Sequence, residues 1–125
     1  TNFKQIEPDY AIALHNVPGY KKGQIVYKYG NFTPSVTSII IKLTGKTSHA
    51  AEPHKGINPS LAISKITQQT LALARNIEDA EHYTVITPIY THIGSKAYGT
   101  SPGYGETHFT IRTLSNERTK EHFDF

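Results

Sequence analysis

The sequence predicts an α+β fold of the split βαβ kind, an antiparallel sheet with two helices on one face. Three observations carry this expectation. Apolar and polar residues alternate over residues 36–44, 83–93 and 106–113. A helical repeat opened by Asn58-Pro59 lies between the first two runs, and a helix start follows the third. The resulting order, strand, helix, strand, strand, helix, is the split βαβ arrangement without its last strand, so the fold is expected to be incomplete at the C-terminus.

Each element has its own local warrant. In residues 36–44, Thr37, Ile39, Ile41 and Leu43 share one face and Ser38, Ile40 and Lys42 the other, as in a half-buried strand. Asn58 can cap, Pro59 has no amide hydrogen to lose in a first turn, and Ile63, Ile66, Thr70, Leu73 and Ile77 recur at helical spacing. That spacing predicts an amphipathic helix of about five turns. Over residues 83–93, Val85, Ile89 and Ile93 are expected on one face and Thr84, Tyr90 and His92 on the other. Pro88 in their midst cannot donate to a ladder, which predicts an edge strand or a bulge. Residues 96–105, KAYGTSPGYG, read as a loop. Residues 106–113 then turn Thr107, Phe109 and Ile111 inward and His108, Thr110 and Arg112 outward, and Ser115 or Asn116 caps a helix with Glu117 in its first turn.

Before residue 34 the pattern is different. Residues 10–14 form a short apolar stretch ending at His15, Pro18-Gly19 and Gly23 punctuate a turn, and residues 24–29 predict a strand. These residues look like the edge of another domain. The chain contains no Met, and its last residues begin a helix without a C-terminal signal, so a segment of a longer protein is expected.

Composition narrows the function classes. With 37% apolar and 18% charged residues the chain can bury one core, which argues against disorder. The absence of cysteine excludes disulfides, thiol catalysis and cysteine-ligated zinc. A net charge of +3 comes from scattered Lys and Arg, with no block longer than Lys21-Lys22, and does not mark a nucleic-acid surface. An RNA-binding sheet would present aromatic residues with basic neighbours, which His108, Thr110 and Arg112 do not supply. No apolar run approaches the roughly 20 residues of a membrane span, and no signal peptide is visible, which leaves a cytoplasmic location as the default expectation.

Candidate chemistry centres on residues 45–57, GKTSHAAEPHKGI, where His49 and His54 stand among small residues between an apolar strand and a helix start. Such a loop holds an imidazole near something polar rather than filling a core. Seven histidines invite a metal site, yet none has HExxH or paired i, i+4 spacing, and the carboxylates fall mostly at turns or exposed positions. A serine nucleophile lacks its G-x-S-x-G turn, and the glycine-rich segment 99–105 lacks the Gly-Lys-Ser/Thr ending of a phosphate loop.

Taken together, an apolar strand, Gly45-Lys46, His49-Ala50-Ala51, Pro53-His54, Gly56 and then Asn58-Pro59 resemble the lid domain of the co-catalytic zinc hydrolases that include aminoacylases, hippurate hydrolases and carboxypeptidases. Ala13-Leu14-His15-Asn16 followed by Pro18-Gly19 and Gly23 is similar to the metal-binding strand and turn of the amidohydrolase branch. Pro102, with Arg112-Thr113 ten residues on, resembles the end of that family's Asn-x-x-Pro segment and its next strand. The resemblance covers nearly the whole chain.

It implies a ferredoxin-like lid and dimerisation domain over residues 34–125, with residues 1–33 as linker and edge of a catalytic domain. It implies His15 as a zinc ligand. His49 would reach across a homodimer to donate a hydrogen bond to the oxyanion of an attacked amide, and Arg112 would pair with a substrate carboxylate. Gly99 stands where the family has Asn, so one amide donor for substrate is missing. Two zinc ions are implied in the intact enzyme and none bound stoichiometrically by this chain, which lacks the bridging Asp and the Glu base and is expected to be inactive alone. The implied partners are a second copy and a small N-acyl amino acid or peptide-like amide, with no nucleic acid and no membrane. The competing reading is a stand-alone ferredoxin-like module that binds a ligand or protein.

Overall fold

The structure, a computed structural model, describes residues 3–75 and 81–123. In chain order its elements are β1 (Ser35–Thr44), β2 (Ser48–His49), α1 (Ser60–Ala72), β3 (Thr84–Ile93), β4 (Thr100–Ser101), β5 (Tyr104–Thr113) and α2 (Asn116–Phe123), with 3-10 turns at Phe3–Gln5 and Pro53–Lys55. β1, β5 and β3 form an antiparallel sheet in that order, and β2 pairs with β4 in a separate two-stranded piece. This is the expected split βαβ arrangement.

The β-branched run of β1 meets β5 in a register that sets Ile39 opposite Phe109 and Ile41 opposite Thr107. These inward residues build the core. Phe109 and Ile111 are each 1% exposed, and Ile86 joins them, with Ile39, Ile41 and Ile66 packed against the cluster. Ile63 from α1 is buried over Gly105, whose missing side chain makes room for it. Three threonines on the same face, Thr84, Thr107 and Thr113, are fully buried, and each hydroxyl is paired: with the His82 carbonyl, with Thr91, and with the Ser115 carbonyl and Thr119. A buried hydroxyl without a partner would cost about 1–3 kcal/mol, so these pairings decide whether threonine is tolerated there. Both helices cover this face, and Val36, Ile40, His108 and Arg112 lie on the open one.

α1 begins as expected, with Asn58 Oδ1 accepting from the Ser60 amide at 2.9 Å and Pro59 buried. It is shorter than expected. After Ala72 the Leu73 and Ala74 amides turn back to the Thr70 and Leu71 carbonyls, and Arg75 then bridges to Thr84, drawing the chain alongside β3. Leu73 is exposed, and Ile77 lies outside the described residues. At α2 the Ser115 hydroxyl accepts from the Arg118 amide, the expected cap.

Three further expectations are corrected. Pro88 does sit on an edge strand and beside a bulge, and that bulge reverses the faces: Pro88 opposes Phe109 and Tyr90 opposes His108, leaving Ile89 as the extra residue. Ile86 and Thr84 therefore point inward, Val85 points outward, and Tyr90 and His92 reach the open face. Residues 24–29 form no strand, because among the described residues nothing lies alongside to take their ladder hydrogen bonds; Ile25, Tyr27 and Tyr29 are exposed. The loop at 96–105 contains β4 and the first residues of β5.

Phe109→Ala is expected to lose about 3–5 kcal/mol of unfolding free energy, since it empties the centre of the core cluster. Urea denaturation of the chain and its variant checks this.

Candidate functional site

Residues 46–57 leave the end of β1 and return to it, closed at the neck by an antiparallel bridge between Lys46 and Ile57, with paired amide-to-carbonyl bonds of 3.0 and 2.8 Å. Glycine is required at this neck. A Cβ on Gly56 would lie 2.6 Å from Ser48 Oγ and 2.7 Å from the Lys46 carbonyl oxygen, and one on Gly103 would lie 2.7 Å from the Lys46 carbonyl carbon. Gly45, facing the Ile57 carbonyl, donates its amide to the Gly103 carbonyl at 2.6 Å. Backbone thus packs directly on backbone.

At the outer part of the loop β2 pairs with β4, setting His49 opposite Thr100 and Ser48 opposite Ser101. The Ala50 amide donates to the Gly99 carbonyl at 2.9 Å, and the Glu52 amide to the His49 carbonyl at 2.9 Å. Asn58, besides capping α1, donates through Nδ2 to Ser101 Oγ at 3.1 Å and so ties the helix start to β4. His49 itself is exposed, and its Nδ1 accepts from the Ala51 amide at 3.1 Å. His54 is exposed on the 3-10 turn, beside the Glu52–Lys55 ion pair.

The expected site residues fall in three places. His49 and Gly99 are neighbours across β2 and β4, and the space beside the Gly99 α-carbon is open. Arg112 is exposed at the other end of β5, between Val36 and Val85, about 26 Å along the strand from Tyr104 at 3.3 Å per residue. His15 lies in the irregular N-terminal segment, exposed, with Nδ1 on the Asn16 carbonyl at 2.8 Å. Among the described residues no three His, Cys, Asp or Glu side chains converge in a way that holds a metal ion. The residues described here do not by themselves form a zinc site.

A polar cluster on the open face, near the neck of the loop, was not anticipated. The Tyr104 hydroxyl donates to Glu106 at 2.7 Å, His108 Nε2 stands 3.4 Å from the other Glu106 oxygen, and the Tyr90 ring lies 5.0 Å from that of His108 and stacks on His92. The Tyr104 hydrogen bond, more than the charges of His108 and Lys42, holds Glu106 below the usual carboxylate range against an opposing effect of burial. The same bond raises Tyr104 above the ordinary phenol value. Carrying the β5 alternation two residues further upstream finds Glu106 and Tyr104; only the bulge brings Tyr90 and His92 to them.

Comparison with known proteins adds an independent finding. The family model described as the peptidase dimerisation domain matches residues 33–124. The N-acetyldiaminopimelate deacetylase of Bacillus subtilis is 31% identical over 119 residues, covering 94% of this chain and 31% of that protein. The protein of the same name from Brevibacillus brevis is 35% identical over 120 residues, covering 92% and 30%. The chain therefore spans under a third of the length of these relatives. Among solved structures, the aminobenzoyl-glutamate utilization protein of Klebsiella pneumoniae superposes with a TM-score of 0.61 at 17% identity, covering 74% of this chain and 23% of that one. A tripeptidase from Staphylococcus aureus superposes at 0.54 with 23% identity, covering 70% and 22%. At these identities the likeness is one of fold.

Two outcomes follow from the site's geometry. Gly103→Ala is expected to displace the Thr47 backbone and shift the amide resonances of Ser48 to Ala51, whereas Gly99→Ala, with nothing within 4 Å of its Cβ, leaves them in place. The Tyr104–Glu106 bond stabilises the fold fully above the unfolded carboxylate value and is lost as pH falls through the depressed folded value of Glu106; it is lost again as pH rises through the raised value of Tyr104. Urea unfolding at stepped pH is therefore expected to show a shallower acid limb in Tyr104→Phe.

Proposed function

The chain belongs to the peptidase dimerisation domain family, and on that premise we propose that it is the lid and dimerisation part of a metal-dependent amidohydrolase that cleaves the amide bond of a small N-acyl amino acid or peptide-like substrate. On this reading His49 donates from its imidazole to the oxyanion formed when the amide carbonyl is attacked, in the active site of the neighbouring subunit. The observation that carries the reading is an exposed imidazole at the tip of a loop whose neck is braced by backbone and glycine alone. A side chain offered outward on a rigid support costs little reorganisation when charge develops on its partner.

Residues 1–33 are assigned to the edge of the catalytic domain and its linker. The exposed apolar side chains of Tyr10, Ile12, Leu14, Ile25, Tyr27 and Tyr29, which this domain leaves uncovered, support that boundary, as does a family match beginning at residue 33. His15 would then be a metal ligand completed by residues elsewhere in the protein. Bound zinc would polarise the carbonyl and acidify a water; the residues of this chain bind, orient and stabilise around that chemistry.

Arg112 would pair with a substrate carboxylate through its two-pronged guanidinium. Its distance from His49 within one copy supports a dimer, since one small substrate does not reach both ends of β5. The exposed edges favour the same conclusion: β3 is blunted by Pro88 and its bulge, and the outer side of β1 has no partner among the described residues. Gly99 leaves open space where a family Asn would donate, which points to a substrate that makes one fewer polar contact at that place. The deacetylase names of the curated relatives agree with an N-acyl substrate.

In the full-length enzyme, His49→Ala is expected to lower kcat by roughly 10²–10³, the cost of one oxyanion donor, with metal content and dimeric state unchanged. Turnover at the parental rate would remove His49 from the mechanism.

A further inference from the structure

We infer that the backbone amide of Ala51 is a positioning group for His49, fixing the tautomer and orientation that leave the Nε2–H as the outward donor. The inference rests on the oxyanion-donor reading of His49. A neutral imidazole carries one proton, and the Ala51 amide, itself a donor, stands 3.1 Å from Nδ1. Two donors do not face one another, so Nδ1 presents its lone pair and the proton resides on Nε2.

The amide has a fixed direction of its own. Three consecutive N–H groups are committed in turn: Ala50 to the Gly99 carbonyl across the loop at 2.9 Å, Ala51 to the imidazole, and Glu52 back to the His49 carbonyl at 2.9 Å. The ring is thus bonded to backbone anchored on both sides, a histidine counterpart of the turn that Asn and Asp make with an amide two residues on. Tautomer control of a functional imidazole is commonly assigned to a carboxylate or carbonyl that accepts from one ring nitrogen, leaving the other as acceptor. Here the polarity is reversed. A backbone donor to Nδ1 makes the far nitrogen a donor, which suits a group that must stabilise negative charge rather than take up a proton. Any residue except proline supplies this amide at position 51, so the requirement is carried by the main chain rather than by the alanine side chain.

The test is a double-mutant cycle in the full-length enzyme. Ala51→Pro removes the donor and is expected to lower kcat roughly five- to tenfold, the worth of one hydrogen bond, with KM little changed. In the His49→Ala background the same change is expected to have less than a twofold effect, roughly, because the group it acts through is gone. An equal loss in both backgrounds would make Ala51 merely structural and overturn the inference. If His49→Ala alone is without effect, it is the oxyanion reading that fails. A second measurement needs no proline: nitrogen resonances of ¹⁵N-histidine in the unsubstituted enzyme, with His49 assigned through His49→Gln, should report a bare Nδ1 and a protonated Nε2. A proton on Nδ1 in the neutral ring would overturn the inference whatever the variants do.

Discussion

Everything that locates the His49 imidazole depends on main chain packing against main chain at Gly45, Gly56 and Gly103. Hydrogen bonds across such a neck each contribute only about 0.5–1.5 kcal/mol net, so none of them alone would hold a loop in one place. They are coupled by geometry. The Gly45-to-Gly103 bond and the Lys46–Ile57 pair require the same close approach, and the Ala50-to-Gly99 bond further out depends on β4 lying where the neck puts it. Asn58 extends this coupling to α1, because one side-chain amide both caps the helix and reaches Ser101. The His49 loop is therefore continuous with the core through Ile63 over Gly105.

Much of this was legible beforehand because it is written in local chemistry. The alternation of β1 and β5 survives in the fold residue for residue, since each strand has one face on a core and the other without one. Asn58-Pro59 and Ser115 mark helix starts by what their side chains and missing amide do to the first turn. The His49 loop stood out through its small residues, although the reason for its glycines became visible only when their neighbours, Lys46, Ser48 and Ile57, were seen in contact.

The illegible parts have non-local causes. Counting by twos through β3 fails because Ile89 is an extra residue relative to β5, and periodicity at one strand carries no information about its partner's register. Helical spacing past Ala72 was outweighed by the Arg75–Thr84 bridge, a contact whose value depends on where β3 begins. Residues 24–29 have the composition of a strand, but a strand exists only by pairing, and none of the described residues pairs with them. The Tyr104, Glu106, His108 and Tyr90 cluster draws on two strands and a bulge at once.

The separation of His49 from Arg112 ties these features to the proposed assembly. His49 lies on the two-stranded β2-β4 piece beyond the start of β5, and Arg112 lies near the end of β5 in the three-stranded sheet. Flexing the domain to bring them together would break the β5 ladders or the neck that carries β2. The proposed two-fold axis would achieve it without deformation: antiparallel joining of two sheet edges would reverse strand direction and set the Arg112 end of one copy toward the His49 end of the other. In the proposed assembly a rigid lid and a required second copy would be two expressions of one constraint. On the proposed reading, the stiffness that the glycine neck confers on His49 would make it useful as a donor and would also prevent a single chain from completing the site by itself.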